Sequence, residues 1–314
     1  MVETGWTRRV RLQQLRAVLA VARNQSLVKA AEELGLSQPA VTKILHEVEA
    51  DLGVQLFVRT SRGTHPTRYG ELLAEHAAGV FAQLTQVERE IHNARAGLAG
   101  EVRLGTLIAA SASLVPQAVA QLQRTVPGIR VMLVEGTYAR LVPALRRGEL
   151  DMIAGRLPAY QYREGLLLES FYQERVCFAV RPAHPALALR CPTLEQLGDW
   201  PWIMPPPQTT LRQMLEAAFH DQNLPLPQSP CESLSVVGNR RLLLETEYIA
   251  AFPARVVEPD LRAGLLAELT LAEPLAFGPV GVALRRDSPL SQPAEAMLAA
   301  LRQAGSSEAQ AGRG

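Results

Sequence analysis

The sequence predicts an α/β protein in three parts, and three patterns along its 314 residues support this. Ser26 to Leu45 has the spacing of a helix, a tight turn and a second helix, and a short β-ribbon pattern comes next. Apolar residues then recur with a heptad period from Leu73 to Leu98, which is typical of a long dimerising helix. From Glu101 onward strand and helix patterns alternate, which favours a sheet covered by helices.

The bulk composition is that of a globular protein and excludes few functions. The chain is 47% hydrophobic with a net charge of +1, which is ordinary for a globular protein. Residues 1–70 hold 10 Lys+Arg against 6 Asp+Glu (+4), which leaves 22 against 25 (−3) for the rest. This asymmetry agrees with an N-terminal nucleic-acid contact but is too mild to identify one.

Cysteine usage and hydropathy indicate a cytoplasmic protein. Cys177, Cys191 and Cys231 are odd in number, far apart and without CxxC spacing, which favours free thiols over a disulfide or metal site. No apolar run reaches the roughly 20 residues that span a membrane. The first eleven residues lack a signal-peptide core, so we expect no membrane partner and a cytoplasmic location.

The first helices carry clear start and stop signals. The spacing predicts a helix over Leu12–Ala22, after which Ser26 is a candidate N-cap for the second helix. Gly35 supplies the turn, Ser37 caps a third helix, and Pro39 lies in its first turn, where a missing N–H costs little.

The third helix has one apolar and one polar face. Val41, Leu45 and Val48 are predicted to face inward. The outward residues are polar, as a base-reading helix requires, and they are Gln38, Thr42, Lys43 and His46. An ordinary solvated helix face explains the same spacing equally well, so the segment after this helix decides between the two interpretations.

That segment is an arginine-bearing ribbon. We predict a strand over Val54–Val58, a hairpin turn at Arg62–Gly63 and a return over Thr64–Pro66. This ribbon carries three spaced arginines, Arg59, Arg62 and Arg68. A wing of this kind suits phosphate or minor-groove contact. His65 is interpreted as a polar wing residue, since no second metal ligand lies near it in sequence.

A long helix is predicted from Thr67, its cap, to Leu98. Its apolar stripe consists of Leu73, Ala77, Val80, Leu84, Val87, Ile91, Ala94 and Leu98. So narrow a stripe favours a dimer seam over a helix inside one domain. Two readers joined by a seam bind two half-sites, so the operator should be roughly palindromic.

The remaining sequence predicts an α/β sheet. Predicted strands are Glu101–Ile108, Ile129–Val134, Leu150–Gly155, Val176–Arg181 and Val280–Arg285, and Tyr248–Phe252 is a short apolar segment. Predicted helices are Pro116–Arg124, Tyr138–Arg147, Leu211–Gln222 and Pro293–Gln303. The βαβαβ order at the start favours a parallel sheet.

Polar residues come directly after the first three strands of this sheet. The loop after the first strand holds Ala109, Ser111 and Ser113, that after the second holds Gly136–Thr137, and that after the third holds Arg156. Because open α/β sheets bind ligands beyond their carboxyl ends, these loops suit a small organic anion. Helix caps and a surface salt bridge are the alternative interpretation of the same residues. The chain has no GxSxG, HExxH, GxxxxGK[ST] or metal-spaced Cys/His cluster, so neither catalysis nor a cofactor is predicted.

Together these residues resemble the LysR-type family of bacterial transcription regulators. The resemblance runs from Leu12 to about Arg302. Its most specific pieces are Ala30–Glu32 with Leu34–Gly35, Ser37–Thr42, Leu52–Gly53 with Leu56–Arg59, and Thr67–Gly70. Thr42 and Arg68 stand where the family usually has Ser and Thr.

The resemblance implies an architecture with boundaries. It implies a winged helix-turn-helix DNA-binding domain over 1–66, a linker and dimerisation helix over 67–100, and an effector domain of the periplasmic-binding-protein type over 101–304. Lobe one would be 101–172 with 277–304, lobe two 173–276, and 305–314 a disordered tail. Two dimers would form a tetramer, and inducer between the lobes would alter DNA bending and contact with RNA polymerase.

The resemblance also assigns site residues. DNA contacts would come from Ser37, Gln38, Pro39, Thr42, Lys43, Arg59, Arg62 and Arg68. The effector cleft would be lined by Ala109, Ser111, Ser113, Thr137, Arg156, Pro206, Gln208, Thr209, Tyr248 and Ala250. Ala109 replaces a usual polar residue and Glu245–Glu247 a glycine-rich turn. Gly155–Pro158 with Phe178–Pro185 is similar to members controlling aromatic-acid breakdown and sugar uptake.

A ligand-binding protein or enzyme on the same two-lobed fold is the alternative function. In that case the N-terminal region would serve only oligomerisation, and binding or turnover would survive deletion of residues 1–66. The outward polar face of the third helix and the arginine-bearing ribbon favour the DNA-binding regulator.

Overall fold

The computed structural model describes residues 5–61, 63–95, 99–286 and 288–311. These fall into two compact units. The first unit is Met1–Glu88 with Arg146–Glu149, and the second is Arg89–Leu145 with Leu150–Gly314. No described helix is long and apolar enough to cross a membrane.

The first unit is a three-helix core with a hairpin and the start of a long helix. Its elements are α1 (Leu12–Asn24), α2 (Leu27–Leu34), α3 (Gln38–Leu52), β1 (Phe57–Thr60), β2 (Gly63–Pro66) and α4 (Arg68–Arg95). Small and branched side chains of α1, α2 and α3, such as Val18, Ala30 and Val41, are fully buried against one another. The predicted helices are confirmed here.

The first strand begins three residues later than predicted. The sequence pattern places it at Val54–Val58, whereas β1 starts at Phe57. The cause is a side chain: Glu49 Oε1 accepts hydrogen bonds from the backbone N–H of Leu56 (2.8 Å) and Phe57 (3.2 Å). The carboxylate therefore takes donors that a longer ladder would use.

The second unit is built on a mixed sheet. Its strands are β3 (Glu101–Thr106), β4 (Arg130–Glu135), β5 (Met152–Arg156), β6 (Leu166–Val180), β7 (Trp202–Met204), β8 (Cys231–Glu232), β9 (Ile249–Pro253), β10 (Ala267–Leu269) and β11 (Ala276–Arg285). Their order is β4-β3-β5-β11-β6-β9-β7-β8, with β10 paired to β6. The α/β class is confirmed. The parallel prediction holds for β3 with β4 and β5, but β11 is antiparallel to both neighbours.

The long strand β6 belongs to two groups of strands. Its first part, up to Arg175, pairs with β11, whereas Val176 to Ala179 pair with β9. The backbone thus passes without a break from the β3–β5 group to the β7–β9 group. The expected lobe boundaries remain a prediction. The change of partner strand between Arg175 and Val176 lies three residues after the predicted boundary at 172/173.

Eight helices of the described residues cover this sheet. They are α5 (Ile108–Ser111), α6 (Leu114–Thr125), α7 (Tyr138–Arg146), α8 (Leu194–Gly198), α9 (Thr210–Asp221), α10 (Val236–Glu245), α11 (Ala254–Arg262) and α12 (Gln292–Ala311). The sequence predicts a first strand that reaches Ile108, but β3 ends at Thr106 because α5 begins at Ile108.

The predicted disordered tail is wrong for residues 305–311. These residues continue α12, and Ala304 and Glu308 are buried. Gly305 packs so tightly on Phe171 that a Cβ there would meet its ring. The small side of the helix therefore packs closely, while Ser306 and Ser307 are exposed; residues 312–314 lie outside the described part of the chain.

Candidate functional site

The first turn of α3 presents a polar surface. Ser37 caps the helix, its Oγ accepting from the N–H of Ala40 at 3.4 Å, and Pro39 occupies the first turn. Gln38, Pro39 and Lys43 are exposed, and Thr42 is half-buried. Hydrogen-bonding side chains at a helix N-terminus can reach both base edges and phosphates.

The opposite face of α3 fixes that surface in place. Val41, Leu45 and Val48 are buried, as predicted, with exposed fractions of 0%, 4% and 1%. Gly35 adopts the left-handed conformation (φ 64°) that turns the chain between α2 and α3. Packing therefore holds the polar first turn on a rigid support.

The hairpin β1–β2 is attached to α3 and α1. Arg59 is exposed, and its Nη2 donates to Thr42 Oγ1 at 3.3 Å, although the two residues lie 17 positions apart. The N–H of Thr64 donates to the carbonyl of Gln25 at 2.9 Å. The structure thus brings two of the predicted DNA-contacting residues, Arg59 and Thr42, into direct contact.

Of the other two predicted wing arginines, neither has such a contact with α3 within the described part of the chain. Arg62 lies outside the described residues. The sequence pattern places Arg68 in the ribbon, but it is the first, exposed residue of α4. The helix starts there because Thr67 Oγ1 accepts from the N–H of Gly70 at 3.3 Å, the predicted cap.

The apolar stripe of α4 is covered at one end only. Leu73 is half-buried and Ala77 buried. Further along, large apolar side chains are exposed at heptad spacing: Val80 41%, Leu84 45%, Val87 51% and Ile91 58%. Ala94 is exposed, and Leu98 lies outside the described residues.

The carboxyl ends of β3, β4 and β5 meet at one edge. The N–H of Gly136 donates to Thr106 O at 3.1 Å, and that of Leu107 donates to Ala154 O at 2.9 Å. The Tyr138 hydroxyl donates to the carbonyl of Arg156. Predicted effector residues Thr137 and Arg156 therefore share this edge.

Arg156 is a partly buried cation among aromatic rings. Its Nε donates to the carbonyl of Phe277, and the guanidinium carbon lies 5.4 Å from the centre of that ring. Burial lowers the pKa of Arg156 and raises that of Tyr138, whose ring stacks on Tyr162 at 5.8 Å. A desolvated guanidinium of this kind favours a bound anion.

The hydroxyls of the two predicted serines form hydrogen bonds to other groups of the protein. Ala109 is buried in α5. Ser111 Oγ donates to Ile108 O at 3.1 Å. Ser113 Oγ donates to the carboxylate of Glu308 and accepts from Gln117 Nε2 at 3.0 Å. Ser113 is the N-cap residue of α6, as the alternative interpretation has it, but its side chain makes no capping bond.

The remaining predicted cleft residues belong to the β7–β9 group. Thr209 caps α9, and its Oγ1 also donates to Pro206 O at 2.8 Å. Gln208 is exposed, Tyr248 half-buried, and Ala250 is buried in β9 opposite Ile203 of β7. The backbone hydrogen bonds described for these residues connect them to one another, to α9 or to β7, apart from the pairing of β9 with β6.

A buried ionic cluster lies in the second unit, and no local sequence pattern indicates it. Arg255 Nε donates to Glu308 Oε2 (2.5 Å) and its Nη1 to Glu174 Oε2 (3.2 Å). Its guanidinium carbon lies 4.2 Å from the centre of the Tyr172 ring. Burial raises the pKa values of Glu174 and Tyr172. Only the folded chain unites these residues, since Arg255 and its carboxylate partners are 53 and 81 positions apart.

Cysteines and metal ligands give no further site in the described residues. The three cysteines are free, with Cys177 buried, Cys191 exposed and Cys231 half-buried. Burial raises the pKa of the Cys177 thiol. Within the described ranges, no three His, Cys, Asp or Glu side chains could hold a metal ion.

Two family models match the chain. Residues 12–71 match the bacterial regulatory helix-turn-helix proteins of the lysR family. Residues 95–306 match the LysR substrate binding domain.

Curated relatives match over almost the whole chain. The transcriptional regulator PcaQ of Agrobacterium fabrum is 33% identical, covering 94% of this chain and 95% of its own. The regulator GbpR of Azospirillum brasilense is 32% identical over 94% of this chain and 87% of its own.

Solved structures share the fold. Full-length OxyR C199D from Pseudomonas aeruginosa superposes with a TM-score of 0.59 at 23% identity, covering 93% of this chain and 95% of that one. CbnR in complex with its target DNA superposes with a TM-score of 0.54 at 19% identity, covering 94% and 100%.

Proposed function

Because the chain belongs to the LysR family of transcriptional regulators, we propose that α3 and its wing read an operator while the second unit binds an organic anion. The predictions of the family and of a DNA-binding regulator with a ligand-binding domain are confirmed by the family matches. Relatives named as transcriptional regulators support a regulator rather than an enzyme.

The DNA contact is proposed for α3 and the hairpin. Gln38, Thr42 and Lys43 would contact base edges, with Ser37 and Pro39 close to the backbone. Arg59, Arg62 and Arg68 would contact phosphates or the minor groove. The single observation that carries this is the exposed polar first turn of α3, to which Arg59 is attached through Thr42.

Self-association is proposed through α4. Four large apolar side chains exposed at heptad spacing on one helix suit a second copy of the same helix. A dimer through residues 67–98 places two readers on a roughly palindromic operator, and two dimers would form a tetramer. The proposed domains are 1–66, 67–100 and 101–304, the last with one lobe of 101–172 plus 277–304 and another of 173–276.

The effector is proposed to be a small carboxylate held at the edge formed by β3, β4 and β5. Arg156 would pair with the carboxylate and Thr137 would donate a hydrogen bond. Phe277 and Tyr138 are buried beside Arg156 and would hold it at this edge. The regulator would act in the cytoplasm by altering contact with RNA polymerase.

DNase footprinting tests the proposed DNA contact first. The purified protein is added to the DNA upstream of its own gene over a salt series. We expect a protected, roughly palindromic segment whose affinity falls as salt rises, because phosphate contacts release counterions. No protection at any salt concentration would reject the assignment of α3.

Sedimentation tests the dimer seam. Val87→Asp places a charge in the middle of the exposed stripe and should shift the protein to monomer. Glu75→Lys changes charge on the same helix away from the stripe and should leave the association unchanged. Equal association of both variants and the wild type would reject the seam.

Thermal shift with benzoate and gluconate as probes tests the effector edge. A carboxylate that binds the folded protein raises its melting temperature. Arg156→Gln should abolish any shift, whereas Arg190→Gln, a change at an exposed arginine, should keep it. A shift unaffected by Arg156→Gln would remove Arg156 from the site, and no shift with either acid would argue against both as effectors.

A further inference from the structure

A buried carboxylate joins three elements of the second unit. Asp151, which precedes β5, is 4% exposed. Its Oδ1 accepts from Arg89 Nη2 at 2.7 Å, and its Oδ2 accepts from the backbone N–H of Arg103 at 2.8 Å. Arg89 lies in the last turns of α4 and Arg103 in β3, so one side chain ties α4 to two neighbouring strands.

A second arginine, at the end of β11, binds the backbone next to Asp151. Arg285 Nη1 donates to Leu145 O and to Leu150 O, both at 2.8 Å. Burial lowers the pKa of Arg285, the nearby Asp151 charge opposes that shift, and Arg89 adds to it. Asp151 therefore binds one guanidinium group, that of Arg89, while Arg285 binds the carbonyl of the neighbouring Leu150.

This cluster is incompletely paired. Among the described residues, Arg89 Nε and Nη1 and Arg285 Nε are buried without a hydrogen-bond partner. Buried donors without acceptors are costly. The last turns of α4 are consequently held less tightly than a fully paired ion cluster would hold them, which suits a contact that must be released.

Asp151 lies next to the start of β5, and the proposed effector edge lies at the other end of β5 and of its neighbour β11. β5 runs from Met152 to Arg156, and β11 pairs with it from Val280 to Ala283. Phe277, at the start of β11, accepts the hydrogen bond from Arg156. A displacement of Arg156 therefore acts on the same two strands that hold Asp151 and Arg285.

We propose that Arg89, Asp151 and Arg285 form a coupling joint between the effector edge and the end of α4. An anion at Arg156 shifts β5 against β11, moves Asp151 relative to Arg89, and so fastens or frees the last turns of α4. The regulatory role of the joint rests on the proposed effector site, whereas the joint itself rests on contacts within the second unit.

Hydrogen–deuterium exchange of the full chain tests the joint without DNA or ligand. In the wild type, amides of residues 84–95 should be protected by the docking of Arg89. Arg89→Gln should make them exchange at least about tenfold faster while α1 to α3 stay unchanged. Arg95→Gln, which removes an exposed arginine from the same turns, is the matched control and should exchange like the wild type.

Coupling is tested by adding a change at the far end of the strands. Arg156→Gln should alter exchange at residues 84–95 in the wild-type background and have no effect there in Arg89→Gln. An equal effect in both backgrounds, or none in either, would overturn the coupling.

Loss of folding in Arg89→Gln would not block the test. Arg89→Lys keeps the charge but removes the guanidinium, and it should show a smaller change in the same direction. Failure of footprinting with a positive exchange result would reject the DNA proposal and keep the joint. Successful footprinting with no change in exchange would reject the joint and keep the DNA proposal.

Discussion

The two units treat their functional polar groups in opposite ways. In the first unit the proposed DNA-contacting residues Gln38 and Lys43 are exposed. In the second unit Arg156 is half-buried against Phe277, and Ser113 is bonded to Glu308. A DNA duplex can be reached only from the surface, whereas a small molecule can act by competing with contacts inside the protein.

This difference predicts separable consequences of mutation. Changes on the exposed face of α3 should affect DNA affinity and leave the stability of the fold unchanged. Changes among the buried charges of the second unit should affect stability first, since they leave unpaired charges in a low-dielectric interior.

The largest effect should come from Arg255→Met. It leaves Glu174 and Glu308 buried without their cation, and the free energy of unfolding of the second unit should fall by about 3–5 kcal/mol. Urea unfolding followed by tryptophan fluorescence, to which Trp200 and Trp202 of the second unit contribute beside Trp6 of the first, measures it. Arg262→Met, at an exposed arginine of the same helix α11, should cost no more than about 1 kcal/mol. Similar losses for both would contradict a special role for the buried cluster.

Gly70→Ala should damage the first unit. A Cβ at Gly70 would overlap the carbonyl oxygen of Leu56, so α4 would have to move off the hairpin at a cost of about 3 kcal/mol. Gly79→Ala in the same helix meets nothing and should stabilise it by up to about 1 kcal/mol. Thermal unfolding compares the two, and a Gly70→Ala protein as stable as wild type would contradict this close packing.

Gln38→Ala should change binding without changing the fold. Loss of a base contact should weaken operator binding by about 1–3 kcal/mol while the melting temperature is unchanged. Gln13→Ala, at an exposed glutamine of α1, is the control for both measurements. Unchanged affinity by mobility shift would remove Gln38 from the base-reading set.

The smallest effect should come from Ser26→Ala. Its Oγ accepts from the N–H of Lys29 at 3.4 Å at the start of α2, and loss of such a cap costs about 1 kcal/mol. Denaturant unfolding measures it against Ser61→Ala in the exposed hairpin turn. A larger loss for Ser61→Ala would mean that the cap matters less than the turn.

The first unit could be predicted largely from sequence because its signals are local. Ser26, Gly35 and Ser37 mark helix ends within a few residues of the backbone groups they serve. The exception is the start of β1, where Glu49 takes backbone donors seven and eight positions away. That bond depends on how α3 packs, and no local pattern records it.

The second unit was less predictable because its order comes from distant pairings. The insertion of β11 between β5 and β6 joins strands far apart in sequence, and nothing in a single strand pattern gives its direction. The ionic cluster of Arg255 depends on the same long-range arrangement. Of the predicted effector residues, Thr137 and Arg156 meet at one edge, since parallel strands bring their carboxyl ends together.

The bond between Ser113 and Glu308 also sets an order of events during synthesis. The two residues are 195 positions apart, which at about 5–20 residues per second is roughly 10–40 s of translation. The three-helix core of the first unit needs only neighbouring segments and can form while the ribosome is still extending the chain. In a nascent chain the proposed DNA-contacting surface can therefore form well before the buried ionic cluster of the second unit.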